Sequence, residues 1–200
     1  GAGVVIGSGW QTFKQVLTPG DFSGDGKADL IALSTDGTLS LFAGNGAGGF
    51  VSPYPAIGSG WAAFRTVLTP GDFNGDSTSD LIAITTDGTA YLYPGNGASG
   101  FTGTYPSIGT GFSAYTMLLA GGDFTGDGRA DVLGVQANGT LAARPGSGTG
   151  GFTGTTATTL GSGWTSLRTV IAPGLFSGVG QADLLSITTA GDLRLYNGDG

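Results

Sequence analysis

The stretch DFSGDGKAD, Asp21 to Asp29, carries carboxylates at its first, fifth and ninth positions and a hydroxyl, Ser23, at its third. Glycines at 24 and 26 let the backbone fold back tightly, so alternate residues turn inward around one point. Three carboxylates brought together repel, and burial raises their pKa values. A divalent cation removes that penalty. Hard oxygen donors without His or Cys favour Ca²⁺ over zinc or copper. The expected shell is Asp21, Ser23, Asp25 and Asp29 through side chains, with Lys27 contributing its backbone carbonyl.

The stretch recurs as DFNGDSTSD from Asp72 to Asp80 and as DFTGDGRAD from Asp123 to Asp131. The matching shells are Asp72, Asn74, Asp76, Thr78 and Asp80, then Asp123, Thr125, Asp127, Arg129 and Asp131, with Thr78 and Arg129 acting through carbonyls. A fourth copy, LFSGVGQAD from Leu175 to Asp183, has lost the first and fifth carboxylates. Three metal sites and one degenerate loop are therefore expected. Asp-Gly turns without metal are the alternative, and they are the expectation at the fourth loop.

Each unit of about 51 residues repeats one order of parts. An aromatic (Trp10, Trp61, Phe112, Trp164) follows Gly-Ser-Gly or a close variant, and a short apolar segment then leads into the loop. After the loop comes a β-branched-rich run of strand length, such as DLIALS or DLIAITT. Asp36-Gly37, Asp87-Gly88, Asn138-Gly139 and Ala190-Gly191 predict two-residue hairpins of type I′. A third strand, a glycine-rich corner ending in Phe50, Phe101 or Phe152, and a fourth strand near Ile57, Ile108 or Leu160 complete the unit. Four short antiparallel strands in each of four repeats, with no helical periodicity, predict an all-β propeller of four four-stranded blades.

The chain reads as one domain, residues 1–200, with repeats at about 10–60, 61–111, 112–163 and 164–200. Val4 to Ile6 aligns with a fourth strand, whereas the last repeat stops after its third. Residues 1–9 are thus expected to complete the last blade, close the ring and remove a free sheet edge. A monomeric four-bladed ring is the first expectation. Two chains sharing an eight-bladed ring, or a piece of a longer propeller, are the alternatives.

Composition narrows the function. Glycine accounts for 42 of 200 residues and net charge is −7, but all fourteen acidic residues are Asp and nine lie in the three intact loops. Three bound Ca²⁺ ions would bring the charge to −1, so the acidity belongs to the loops. The seven Lys and Arg are scattered, which gives nucleic acid no footprint. No apolar run is long enough to span a membrane. Without His, Cys or Glu, catalytic triads, zinc hydrolase motifs and paired-Glu glycosidases are excluded. No enzyme is expected, a calcium-assisted lyase or hydrolase being the least favoured class.

The repeat DFxGDGxADLIAxxxDGTLxLxxGxGxGGF resembles the FG-GAP/VCBS repeats of integrin α-subunit propellers and of secreted bacterial proteins, actinobacterial ones especially. The likeness covers nearly the whole chain. The resemblance implies calcium at the D-x-D-x-D-G-x-x-D positions, with Ser23, Asn74 and Thr125 replacing the middle carboxylate. Ser77 stands where the first and third loops have Gly26 and Gly128, so strain is expected there. An EF-hand is excluded, because position 12 is Ala32 in a strand and not a bidentate Glu. Calcium sites of this kind contribute stability only at millimolar free Ca²⁺, so a secreted, extracellular protein is expected.

The candidate ligand site is a repeated aromatic and basic pair: Trp10 with Lys14, Trp61 with Arg65, Trp164 with Arg168, and Phe112 with Thr116 as the odd one. An indole face stacks on a sugar ring while basic groups bind hydroxyls, so a glycan or cell-surface polymer is the expected partner. The commoner use of one aromatic per repeat is a wedge between blades. Tyr54, Tyr91, Tyr93, Tyr105 and Tyr196 are further candidates. The alternative to a glycan module is a structural or protein-binding accessory propeller of a larger exported enzyme or adhesin.

Overall fold

The computed structural model describes residues 3–198. Four antiparallel sheets follow one another along the chain as the blades of a β-propeller, and no α-helix occurs among the described residues. Blade 1 comprises β1 (Phe13–Gly20), β2 (Asp29–Ser34), β3 (Leu39–Phe42) and β4 (Ala56–Gly58). Blade 2 comprises β5 (Phe64–Gly71), β6 (Asp80–Thr85), β7 (Ala90–Tyr93) and β8 (Ser107–Gly109). Blade 3 comprises β9 (Tyr115–Ala120), β10 (Val132–Gln136), β11 (Leu141–Arg144) and β12 (Thr158–Gly161). Blade 4 comprises β13 (Leu167–Gly174), β14 (Gln181–Thr188) and β15 (Leu193–Gly198). Strands run in chain order across each sheet, and the inner strands β1, β5, β9 and β13 are successive neighbours.

Each blade opens on a single 3₁₀ turn bearing the repeat aromatic, for example Trp61–Ala63. The residue before it must adopt a left-handed backbone, which Gly9, Gly60, Gly111 and Gly163 supply at φ 79–88°. Second strands such as β6 are buried along nearly their whole length, which explains their continuous apolar runs. The core lies between blades. Leu17, Ile31, Leu33, Leu39 and Leu41 of blade 1 pack with Trp61, Val67, Leu81 and Ala83 of blade 2, and the same pattern joins blades 2 to 3 and 3 to 4.

Two expectations need correction. The hairpins are not two-residue type I′ turns. Gly37 N–H donates to the Ser34 carbonyl and Ser34 N–H to the Thr38 carbonyl, and only Gly37 has positive φ. This is a three-residue loop, a type I turn followed by a glycine bulge. Its middle position needs no left-handed backbone, so Ala190 serves in the fourth hairpin as Asp36 does in the first.

Nor do residues 3–9 close a ring. Val4 to Ile6 is outside any strand and exposed, and the fourth sheet has three strands among the described residues. The proposed closing segment also includes Gly1 and Ala2, which lie outside the described residues, as do Asp199 and Gly200.

Candidate calcium loops and rim crevices

The ninth loop residue is buried in all four repeats: Asp29, Asp80, Asp131 and Asp183. Asp29 Oδ2 accepts the N–H groups of Phe22 and Ser23, at 2.9 and 2.7 Å, and its Oδ1 accepts Gly44 N–H at 2.9 Å. Asp80 does the same with Phe73, Asn74 and Gly95, and Asp131 with Phe124, Thr125 and Gly146. Asp183 holds Ser177 and Gly198. This carboxylate pins the loop to the glycine corner 15 residues on, whether or not the loop keeps its other acids. Burial pushes the Asp80 and Asp131 carboxyls up, against the amide hydrogen bonds that hold them down. Asp183, at the end of the arc, is held below the ordinary value by the Ser177 and Gly198 amides.

The first and fifth residues are exposed, apart from the half-buried Asp123. Asp21 accepts N–H groups from Gly24, Asp25 and Gly26 at 2.8–3.1 Å, wrapping the turn around itself. Asp72 and Asp123 repeat this with residues 75–77 and 126–128. Asp25 pairs with Lys27 at 3.0 Å, and Asp127 lies 3.7 Å from Arg129. Asp76 bonds Thr78 and Asn74. Three acidic side chains do not gather in any loop among the described residues. Ser77 has φ 70°, the strain expected where the other loops have glycine.

The third position bears on calcium. Ser23 Oγ and Thr125 Oγ1 are buried and have no hydrogen-bond partner. An unpaired buried hydroxyl costs about 1–3 kcal/mol, and a hard cation would take such an oxygen. The donor set of the first and third loops therefore fits Ca²⁺. In the second loop Asn74 is already engaged by Asp76.

The aromatic and basic pairs do not form a common surface. Trp61 is 4% exposed, Trp164 is also buried, and Trp10 is half-buried. Trp61 packs on Phe64, Tyr93 and Phe101 with centroids 4.4–5.7 Å apart, and Trp10 packs on Phe13, Phe42 and Phe50. Lys14 and Arg65 face the next blade instead, while Arg168 is exposed. Lys14 Nζ donates to the Phe64 carbonyl at 2.9 Å, and Arg65 Nη2 to the Tyr115 carbonyl at 2.7 Å. Thr116 instead donates to Val135 of its own blade.

A different grouping emerges at the rim. Trp61, Phe64, Tyr93, Phe101 and Tyr105 line a crevice of about 320 Å³ with Gly58 to Gly60. Trp10, Phe42, Phe50 and Tyr54 line its counterpart of about 280 Å³ with Ile6 to Ser8. In each, a part-exposed tyrosine stacks on an inner ring: Tyr54 on Phe42 at 4.6 Å and Tyr105 on Tyr93 at 4.3 Å. A Cβ on Gly7 or Gly58 would strike the indole nitrogen of Trp10 or Trp61, so glycine permits the close approach. In blade 3, Arg144 fills the equivalent place, stacked 4.8 Å from Phe112 and 5.1 Å from Phe152.

Residues 21–83 and 72–134 match the family model described as FG-GAP-like repeat, more than half of the chain. The chain belongs to the FG-GAP-like repeat family. Comparison with the curated proteins finds no match. Among solved structures, BP39L lectin from Burkholderia pseudomallei is similar at TM-score 0.54 and 18% identity, over 90% of this chain and 51% of the lectin's. The chain thus spans about half the length of that solved relative, and the likeness concerns the fold.

Within this FG-GAP-like chain, sequence reasoning missed the pinning role of the ninth residue and the Arg144 stack. The first had a signal: that Asp survives in the fourth loop, where its companions are lost. Arg144 had none, because it stands where the other repeats have aromatics.

Proposed function

We propose that this chain is an exported binding module that takes glycans or a cell-wall polymer in its rim crevices and is stabilised by calcium in its first three loops. The repeated crevice carries the reading. Two neighbouring blades present the same aromatic floor and the same outward tyrosine, and Tyr105 is 44% exposed. An exposed phenol offers a flat apolar face for a sugar ring and a hydroxyl for hydrogen bonding. Two weak equivalent crevices on one rigid body suit a repetitive polymer through avidity. The structural neighbour BP39L is a lectin, which agrees with this reading.

Calcium would be held by Asp21, Ser23, Asp25, Asp29 and the Lys27 carbonyl, and by their counterparts in the third loop; in the second loop Asn74 would have to release Asp76 before it could serve with Asp72, Asp76, Asp80 and the Thr78 carbonyl. Bound there, the ion supplies charge neutralisation and fixes the turn. Such sites, with a Kd of roughly 10⁻⁴ to 10⁻³ M, fill only outside the cytosol, which supports export. Among the described residues no helix is long and apolar enough to cross a membrane. A non-catalytic role fits a chain without His, Cys or Glu. The second reading, a protein-binding accessory propeller, is favoured by the exposed apolar Leu175, Phe176 and Val179 of the fourth loop.

A glycan array probed with wild type and with Tyr54→Ala/Tyr105→Ala tests the proposal. Binding by wild type that the double variant loses is expected. A blank wild-type array would overturn the glycan reading and leave the protein-binding one.

A further inference from the structure

Arg144 is 7% exposed, and no carboxylate among the described residues pairs with its charge. It stands on β11 opposite Val132, the register that Phe42 holds opposite Leu30 and Tyr93 opposite Leu81. Its guanidinium accordingly takes the place of a ring, against Phe112 and Phe152. Those two aromatic faces attract a cation but do not neutralise it. Asp131, one residue from Val132, gives both oxygens to the amides of Phe124, Thr125 and Gly146.

A guanidinium has five N–H donors. Among the described residues one of them is used: Nη1 donates to the Thr110 carbonyl at 3.2 Å. Nε is sealed from solvent without a partner. Nη2, on the same edge of the fork, has no hydrogen bond among the described residues either, and it is not sealed. Side by side, Nε–H and Nη2–H are the parallel donors that grip a carboxylate or a phosphate group. A buried cation left unpaired is costly, and a bound anion removes that cost.

The same repeat has lost the ring that covers this place elsewhere. Tyr54 lies two residues before Ala56, which pairs with Ser40, and it stacks on Phe42. Tyr105 lies two before Ser107, which pairs with Tyr91, and it stacks on Tyr93. In blade 3 Thr159 pairs with Ala142, so the matching residue is Ala157. A methyl group thus replaces a phenol beside a charge that the crevices of blades 1 and 2 lack. Gly109 leaves room as well, since a Cβ there would stand 3.3 Å from Nη2.

We propose that the rim of blade 3 binds an oxyanion, a carboxylate or a phosphate group, on the Nε and Nη2 edge of Arg144. Blades 1 and 2 then offer uncharged aromatic crevices and blade 3 a single fixed cation, which suits an acidic polymer. That choice of polymer rests on the glycan reading; the anion site does not.

Sodium glucuronate and inorganic phosphate are the probes, with sodium chloride at equal ionic strength as the control for screening. The Nε–H resonance of Arg144 is expected to shift and saturate in the wild-type chain, and calorimetry to give one site per chain. Arg144→Tyr, which restores the residue of blade 2, keeps the rim packed and is expected to abolish the heat. Arg144→Lys, with the charge but not the fork, is expected to bind about tenfold more weakly. Whichever probe saturates names the source, a carboxylate for glucuronate and a phosphate group for phosphate. A resonance that neither probe moves more than chloride does, or equal heat from Arg144→Tyr, would overturn the proposal. Glycan binding on the array beside a silent titration would strike the anion site and leave the glycan reading, and the converse would do the reverse.

Discussion

Arg65 Nη2 donates to the Tyr115 carbonyl at 2.7 Å, binding blade 2 to blade 3 from a position 50 residues away. Lys14 and Phe64 repeat the contact one blade earlier. Arg65→Ala is expected to lower stability by about 1 kcal/mol, a fall of about 2–4 °C in melting temperature for a chain of this size. Lys14→Ala, in a more exposed setting, is expected to lower it less. Thermal melts of both variants check the order.

Ser23 gives a test of calcium that needs no ligand. Its buried hydroxyl lacks a partner. In chelator, Ser23→Ala is expected to match or exceed wild type by about 1 kcal/mol. At about 1.5 mM Ca²⁺ and a Kd near 10⁻⁴ M, each site adds about 1.5 kcal/mol, and the variant is expected to lose part of that gain. Melting curves with and without calcium measure both. A variant that gains as much from calcium as wild type would remove Ser23 from the site.

Ser77 occupies a left-handed conformation at φ 70° where the first and third loops use glycine. Ser77→Gly is expected to stabilise the chain by about 1 kcal/mol, because relief of the left-handed penalty exceeds the added chain entropy. Urea denaturation at equilibrium checks the sign.

Asp183 makes an acid-side prediction. The Ser177 amide, then the Gly198 amide, hold its carboxyl below the ordinary value of 3.8. A depressed folded pKa stabilises fully above the unfolded value, and that contribution is lost as pH falls through the folded one. The melting-temperature gap between wild type and Asp183→Asn is therefore expected to stay level from about pH 7 to about pH 5 and to narrow below about pH 4. A gap that widened on acidification would contradict the pin.

Much of the fold was legible because each repeat restates it. DLIALS and DLIAIT became β2 and β6 at the expected residues, and the hairpins fell at the expected Gly positions. The turn type was not legible, since Asp-Gly serves both a type I′ turn and a type I turn with a bulge, and the flanking hydrogen bonds decide. The destination of Lys14 and Arg65 was hidden too, because a partner 50 residues away leaves no local pattern. The loops were legible as loops, but their ninth residue was not separable from the ligand set until its amide partners were seen. Tyr54 and Tyr105 were visible as candidates. Their stacking on Phe42 and Tyr93 depends on how the glycine corner folds back.

Calorimetric titration with a glycan identified on the array tests the binding account most directly. Two equivalent crevices predict two sites per chain for wild type and one for Tyr105→Ala, with the affinity of the remaining site unchanged. An unaltered stoichiometry in that variant would contradict the account.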